Sequence, residues 1–79
     1  MTQEQFKDEA QRLRPRLMEL ARRYLGDDDA EDTVQDTLLR LWQMVDDLRQ
    51  PIDALALRLI RNLCITRVRG QTLYVLELD

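Results

Sequence analysis

Apolar residues recur at spacings of three and four along the first 25 positions. The stripe consists of Phe6, Ala10, Leu13, Leu17, Leu20, Ala21 and Tyr24. This spacing places them on one face of an α-helix that runs toward Leu25. Thr2, with Gln5 three residues later, has the pattern of a capping box and predicts the helix start. Pro15 lacks the backbone N–H that a helix interior uses, so we expect a kink there or two abutting helices.

Two further segments show the same periodicity. The second stripe is Val34, Leu38, Leu41 and Val45, and the third is Leu55, Ala56, Leu59, Ile60, Leu63 and Cys64. We expect Gly26 to cap the end of the first helix. One of the three aspartates over 27–29, with Asp29 preferred, should cap the start of the second helix, which should end near Val45. Pro51 suits the first position of the third helix, after a short loop over 46–50.

The pattern therefore predicts an all-α fold, a small three- to four-helix bundle whose first long helix is kinked or split at Pro15. The third helix should run to about Arg69, with Gly70 as its stop. Residues 1–70 then form one domain. The tail over 71–79 is rich in Leu, Tyr and Val. It could pack back on the bundle, extend as a strand, or be a truncated linker.

Composition agrees with this fold and excludes several functions. With 79 residues the chain is one small domain, and its Cys64 has no second cysteine for an internal disulfide, which favours a reducing cytoplasm. No apolar run approaches the roughly 20 residues of a membrane span. There is no His, no Gly-rich phosphate loop and no metal-ligand spacing, so the sequence predicts neither an enzyme nor a metal or cofactor site.

Charge is distributed unevenly, although the net charge is only −3. Between Asp27 and Asp53 nine acidic residues stand against Arg40 and Arg49. The stretch over 54–76 holds four arginines and no acid. An acidic half followed by a basic stretch suggests two partners on two faces, or simply solvated helix faces.

The second and third helices each carry a second set of residues that the core stripe does not explain. On the second helix they are Asp32, Gln35, Asp36, Leu39 and Trp42. Acids and an amide beside Leu and Trp suit protein docking, although Trp42 could instead cap the edge of a small core. On the third helix, Arg58, Arg61, Asn62 and Arg69 share one arc with Ile65. Arginine suits phosphates and Asn suits base edges, but on spacing alone four arginines in an acidic chain are more typical of a solvated face.

Taken together, these segments resemble region 2 of the extracytoplasmic-function sigma factors. The resemblance begins at LRPRLMELARRYLGD (13–27), strengthens in AEDTVQDTLLRLW (30–42) and resumes in RNLCITRVR (61–69). It covers roughly residues 5–70. Where the family usually has aromatics before Arg-Asn, this chain has Leu55 and Leu57, and the usual Asp after Asn-Leu-x-Ile is Thr66. The 79 residues hold no counterpart of the family's helix-turn-helix domain, which indicates an excised domain or a natural short form.

The resemblance implies a role in transcription initiation and assigns the two unexplained faces. It implies that Asp32, Gln35, Asp36, Leu39 and Trp42 dock on the clamp helices of the RNA polymerase β′ subunit. Promoter DNA is the second implied partner, through the non-template strand of the −10 element. The implied DNA contacts are Asp46, Asp47, Leu48 and Arg49 in the loop and Arg58, Arg61, Asn62 and Arg69 on the last helix. A decoy that binds an anti-sigma factor or polymerase without promoter recognition is the alternative, and we expect a monomer when free.

Overall fold

The computed structural model describes the backbone of residues 1–78 and the side chains of residues 1–70. It contains three α-helices and one short 3₁₀ turn, in the order α1 (Gln3–Arg22), α2 (Asp27–Gln43), the 3₁₀ turn (Val45–Asp47) and α3 (Asp53–Leu78). Helix α2 folds back antiparallel to α1. Helix α3 begins beside the middle of α1 and runs in the direction of α1. The all-α prediction is confirmed for the described part of the chain, which contains no strand.

The start of α1 is the predicted capping box. The Thr2 hydroxyl accepts from the backbone N–H of Gln5 at 3.1 Å, and the Gln5 side chain accepts from the backbone N–H of Thr2 at 3.0 Å. The helix then continues through Pro15 as one element. The predicted split at Pro15 is therefore wrong, and a kink there stays a prediction. Pro15 lies on the exposed side of α1, where its ring does not disturb the packing.

Four helix ends differ from the sequence-based expectation: the end of α1, the start of α2 and both ends of α3. Arg23, in a right-handed helical conformation, caps the end of α1, and Gly26 is the N-cap residue of α2. Residues 27–29 therefore lie inside the first turn of α2, where their carboxylates face the positive end of the helix dipole. Helix α3 begins at Asp53, two residues after Pro51. It also passes through Gly70, because one helical glycine costs only about 1 kcal/mol relative to alanine.

The core lies where the three helices meet. Its buried hydrophobic residues are Phe6, Leu13, Leu17, Ala21, Leu25, Ala30, Val34, Leu41, Val45, Leu48, Ile52, Ala56, Ile60 and Cys64. Leu38 and Leu59 pack partly buried against it. Two members of the predicted stripes are instead exposed, Tyr24 at 38% and Leu55 at 41%. Tyr24 lies just beyond the C-cap residue of α1, and Leu55 lies on the side of α3 that no other helix covers.

Two threonines are fully buried in α2. The hydroxyl of Thr33 donates to the Asp29 carbonyl at 2.7 Å, and that of Thr37 donates to the Thr33 carbonyl at 2.8 Å. Both polar groups are therefore satisfied within their own helix. Among the described residues, no buried side-chain nitrogen or oxygen lacks a partner. In the same part of the chain, none of the helices is long and apolar enough to cross a membrane.

Candidate functional site

One candidate surface is the α2 outer face, which consists of Asp32, Gln35, Asp36, Leu39 and Trp42. At 100° per residue these positions fall within an arc of about 120°, opposite the buried Val34 and Leu41. Leu39 is 54% exposed and Trp42 is 39% exposed. Gln35 is exposed and Asp36 is half-buried. The side of α2 that faces away from the core is thus a mixed acidic and apolar surface.

The two carboxylates of the α2 outer face are held by arginines. Asp36 accepts from Arg40 one turn later at 3.2 Å. Asp32 accepts from Arg67 of α3 at 3.0 Å. Exposed pairs of this kind contribute at most about 1 kcal/mol, so a partner's cation can replace either arginine at low cost.

Trp42 lies at the edge between the α2 outer face and the core. Its ring packs on that of the buried Phe6, with ring centroids 5.6 Å apart and the planes tilted by 55°. A shallow pocket of about 390 Å³ opens beside this ring pair, bounded by the first two turns of α1. The two interpretations of Trp42 are therefore compatible: one part of the indole closes the core and the rest remains accessible.

A second candidate surface, the α3 arginine face, consists of Arg58, Arg61, Asn62 and Arg69. All four side chains are exposed. Their arginines form no ion pair with any side chain that the structure describes, whereas Arg67 is bound to Asp32. Three cationic groups on this face are therefore available to an anionic partner.

The α3 arginine face borders a groove that the sequence did not reveal. This α1–α3 groove has a volume of about 740 Å³. Its lining is formed by Arg16, Glu19, Leu20, Arg23, Leu57, Arg58, Arg61, Asn62 and Ile65. Sequence reasoning missed its α1 wall, because arginines occur all around α1 and only the packing shows which of them face α3.

The segment that joins α2 to α3 holds the remaining predicted contacts. Asp46, Asp47 and Arg49 are exposed, whereas Leu48 is only 5% exposed and belongs to the core. The N-terminal ammonium of Met1 donates to the Leu48 carbonyl at 3.0 Å. The expected DNA contact by the Leu48 side chain does not agree with this burial. Leu48 instead anchors the segment that presents its polar neighbours.

Three titratable groups outside these surfaces have shifted pKa values, among them Asp53 and Cys64. Arg12 donates to both carboxylate oxygens of Asp53, at 2.7 and 3.0 Å, and also pairs with Glu9. Its hydrogen bonds and charge hold the pKa of Asp53 below the usual range. Burial raises the pKa of the Cys64 thiol, so this cysteine is protonated and unreactive at neutral pH. Across the described residues, no cluster of His, Cys, Asp or Glu could hold a metal ion.

A family model for sigma-70 region 2 matches residues 10–73, which is most of the chain. The chain belongs to the sigma-70 region 2 family. Comparison with curated proteins and comparison with solved structures gave no match. Sigma-70 region 2 domains act in transcription initiation and are not enzymes. The predicted resemblance is thus confirmed at the level of this family, and RNA polymerase and promoter DNA are the partners that the family implies.

Proposed function

We propose that this sigma-70 region 2 domain is of the extracytoplasmic-function type and joins RNA polymerase to promoter DNA. The α2 outer face docks on the clamp helices of the β′ subunit. The α3 arginine face and the exposed residues of the segment over 46–49 engage the non-template strand of the −10 element. The domain carries out no covalent chemistry, since its task is to bind two partners at once.

The exposure of the α2 outer face is the observation that carries this proposal. Leu39 and Trp42 are large apolar side chains left in contact with water, while Val34 and Leu41 already fill the buried side of the same helix. Exposed apolar groups beside carboxylates are typical of binding surfaces, where aromatic anchors supply much of the affinity. The unpaired amide of Gln35, between the two aspartates, supplies a further polar contact.

The DNA side of the proposal is supported by the chemistry of the α3 arginine face. Guanidinium groups match the geometry of phosphate oxygens, and the Asn62 amide can pair with a base edge. Leu55 is exposed on α3 at a position where the family has aromatics. We expect base contacts here to be apolar rather than stacked, which lowers affinity for single strands.

Substitutions on the α2 outer face test the polymerase side. We expect Asp32→Ala and Gln35→Ala each to weaken binding to a β′ clamp-helix fragment about tenfold, or about 1.4 kcal/mol, because each removes a polar contact. Binding is measured by titration calorimetry or a quantitative pull-down. Thermal unfolding should change little, since exposed substitutions alter stability by about 0.5 kcal/mol or less.

Glu31→Ala is the matched control, because Glu31 is an exposed acid next to Asp32 but lies outside the α2 outer face. Clamp binding that is unchanged in Asp32→Ala and Gln35→Ala would exclude docking through this face. If polymerase binds but adds no −10 sequence preference to single-stranded DNA binding, the domain acts as a decoy and not in promoter recognition.

A further inference from the structure

The α1–α3 groove concentrates positive charge in an acidic chain. Four arginines line it, and its one lining acid is Glu19. They are Arg16 of α1, the α1 C-cap residue Arg23, and Arg58 and Arg61 of α3. The whole chain carries a net charge of −3. Like charges gathered in one groove repel each other and oppose folding. An anionic ligand in the groove would relieve this repulsion.

The groove arginines differ in their partners from the other arginines of α1. Arg12 pairs with Asp53, Arg14 lies 4.0 Å from Glu31, and Arg22 lies 3.4 Å from Asp27. These three are engaged by acids on neighbouring helices or at the start of α2. The positive charges of the groove arginines are balanced by few acidic side chains.

In the groove, Glu19 lies 3.8 Å from Arg23. Arg16, Arg58 and Arg61 form no ion pair with any described side chain, although the charge of Arg16 acts at longer range on Asp53. Several guanidinium forks are therefore free to accept a ligand, and each can bind a phosphate through two parallel hydrogen bonds.

The geometry of the groove matches a polyanion better than a single small ion. Arg16 and Arg23 are seven residues apart, which is about 10 Å along α1. That separation allows the two guanidinium groups to contact different phosphates of one strand. Arg58 and Arg61 form the opposite wall, and a volume of about 740 Å³ is in the range of pockets that hold a few linked groups and not a whole duplex.

We propose that the α1–α3 groove binds the sugar–phosphate backbone of one nucleic-acid strand, with Arg16 and Arg23 as phosphate contacts in addition to the α3 arginine face. This proposal rests on the proposed function, because it takes the α3 arginine face as a DNA contact. Phosphate contacts set position and orientation without reading sequence. The α1 wall therefore fixes where the strand lies, and Asn62 is placed beside a base edge.

A nucleic-acid strand fits the groove better than an acidic peptide does. The groove floor is apolar, formed by Leu20, Leu57 and Ile65, and can cover the flat faces of sugars and bases. The Asn62 amide both donates and accepts, as base edges do. An acidic peptide would use the arginines but would leave the apolar floor and the amide acceptor without matching groups.

The test is the double variant R16Q/R23Q, with R14Q/R22Q as the matched control. Both remove two arginines from α1, but only the first pair lines the groove. Binding of a fluorescein-labelled single-stranded oligonucleotide is measured by anisotropy from about 50 to 200 mM salt, with and without core polymerase. Each lost phosphate contact reduces the magnitude of the negative slope of log K against log salt by about 0.7 for single strands. R16Q/R23Q should therefore reduce that magnitude by about 1.4, which corresponds to binding about 25-fold weaker near 0.1 M salt.

A third variant, R58Q/R61Q, separates this proposal from the proposed function. If R58Q/R61Q weakens DNA binding and R16Q/R23Q does not, the groove proposal is overturned and the DNA role of α3 stands. If neither weakens it, or if the wild-type chain binds no oligonucleotide even with polymerase, both fail. An equal loss in R14Q/R22Q shows a general charge effect and overturns the groove proposal. Displacement by polyglutamate at equal charge concentration overturns it in favour of an acidic peptide, and circular dichroism confirms that every variant is folded.

Discussion

The α2 outer face and the α1–α3 groove are built in opposite ways. The outer face belongs to one helix, is acidic and apolar, and its carboxylates are already held by Arg40 and Arg67. The groove is shared by two helices that lie more than thirty positions apart in sequence, is cationic, and leaves most of its arginines without an ion pair. A surface on one helix follows from periodicity alone. A surface between two helices depends on how they pack.

Both surfaces nevertheless depend on the same core. Leu17 and Ala21 lie behind the α1 wall of the groove, Ile60 lies behind the α3 wall, and Leu41 lies behind the α2 outer face. A substitution on one surface should affect one partner, whereas a substitution in the core should affect both.

The largest effect is expected from Leu17→Ala, because Leu17 is fully buried. Deleting a buried leucine side chain to alanine lowers the free energy of unfolding by about 2–5 kcal/mol. A domain of this size has a marginal core, so that loss is a large fraction of its stability. Urea unfolding followed by circular dichroism should show the drop, and clamp binding and DNA binding should fall together.

Leu39→Ala is the matched control, because it is the same chemical change at a side chain that is 54% exposed. Its free energy of unfolding should stay within about 0.5 kcal/mol of the wild type. Loss of only one binding activity in a fully folded Leu17→Ala protein would show that the two surfaces do not share a core.

A smaller effect is expected from Trp42→Ala, which acts on both the surface and the core edge. Removing the indole ends its contact with Phe6 and should cost about 1–2 kcal/mol in unfolding free energy. Clamp binding should weaken as well, whereas DNA binding should not change. The measurements are thermal unfolding, clamp titration and oligonucleotide anisotropy on one preparation.

Leu39→Ala again provides the comparison, since it should weaken clamp binding at nearly constant stability. Trp42→Phe should recover most of the stability, because a phenyl ring can still pack on Phe6. Full clamp affinity in Trp42→Ala would remove the indole from the docking surface and leave it a purely structural role.

The smallest effect concerns the Arg12–Asp53 pair, which joins the two groove walls and leaves the α2 outer face untouched. The pKa of Asp53 is lowered in the folded state, so the folded chain binds this proton less tightly than the unfolded chain does. The stability from the pair is complete above the unfolded pKa of about 3.9 and is lost as pH falls through the folded value. Thermal unfolding between about pH 6 and 2 should show this loss.

In Asp53→Asn, the part of the stability loss at low pH that comes from this pair should disappear. Arg12→Gln should also make stability fall less steeply at low pH, because the pKa of Asp53 then returns toward its ordinary value. If stability falls with decreasing pH equally in the wild type and both variants, the pair does not measurably stabilise the contact between α1 and α3.

The sequence predicted those features that one helix determines by itself. The Thr2–Gln5 capping box and the phase of the first two core stripes follow from local spacing. So does the exposure of Gln35 opposite Val34. Each is fixed by 3.6 residues per turn and by nearby backbone groups, so no knowledge of neighbouring helices was needed.

The features that the sequence did not predict depend on how the helices pack against one another. Helix α3 is apolar on several sides, so periodicity does not single out its buried face, and the predicted core position of Leu55 is wrong. Arg16 was not recognised as a groove residue, because nothing in α1 tells which of its arginines will face α3. The resemblance implies a DNA contact for the whole loop that includes Leu48, but local sequence does not reveal that the Leu48 side chain is buried between α2 and α3.

The hydrogen bond from the Met1 ammonium to the Leu48 carbonyl has a practical consequence for every experiment above. A purification tag fused ahead of Met1 converts the charged amine into a neutral amide with a single hydrogen, and charge-assisted hydrogen bonds are about twice as strong as neutral ones. Such a fusion would loosen the segment that presents Asp46, Asp47 and Arg49. Affinity handles and fluorophores are therefore better attached at the other end of the chain.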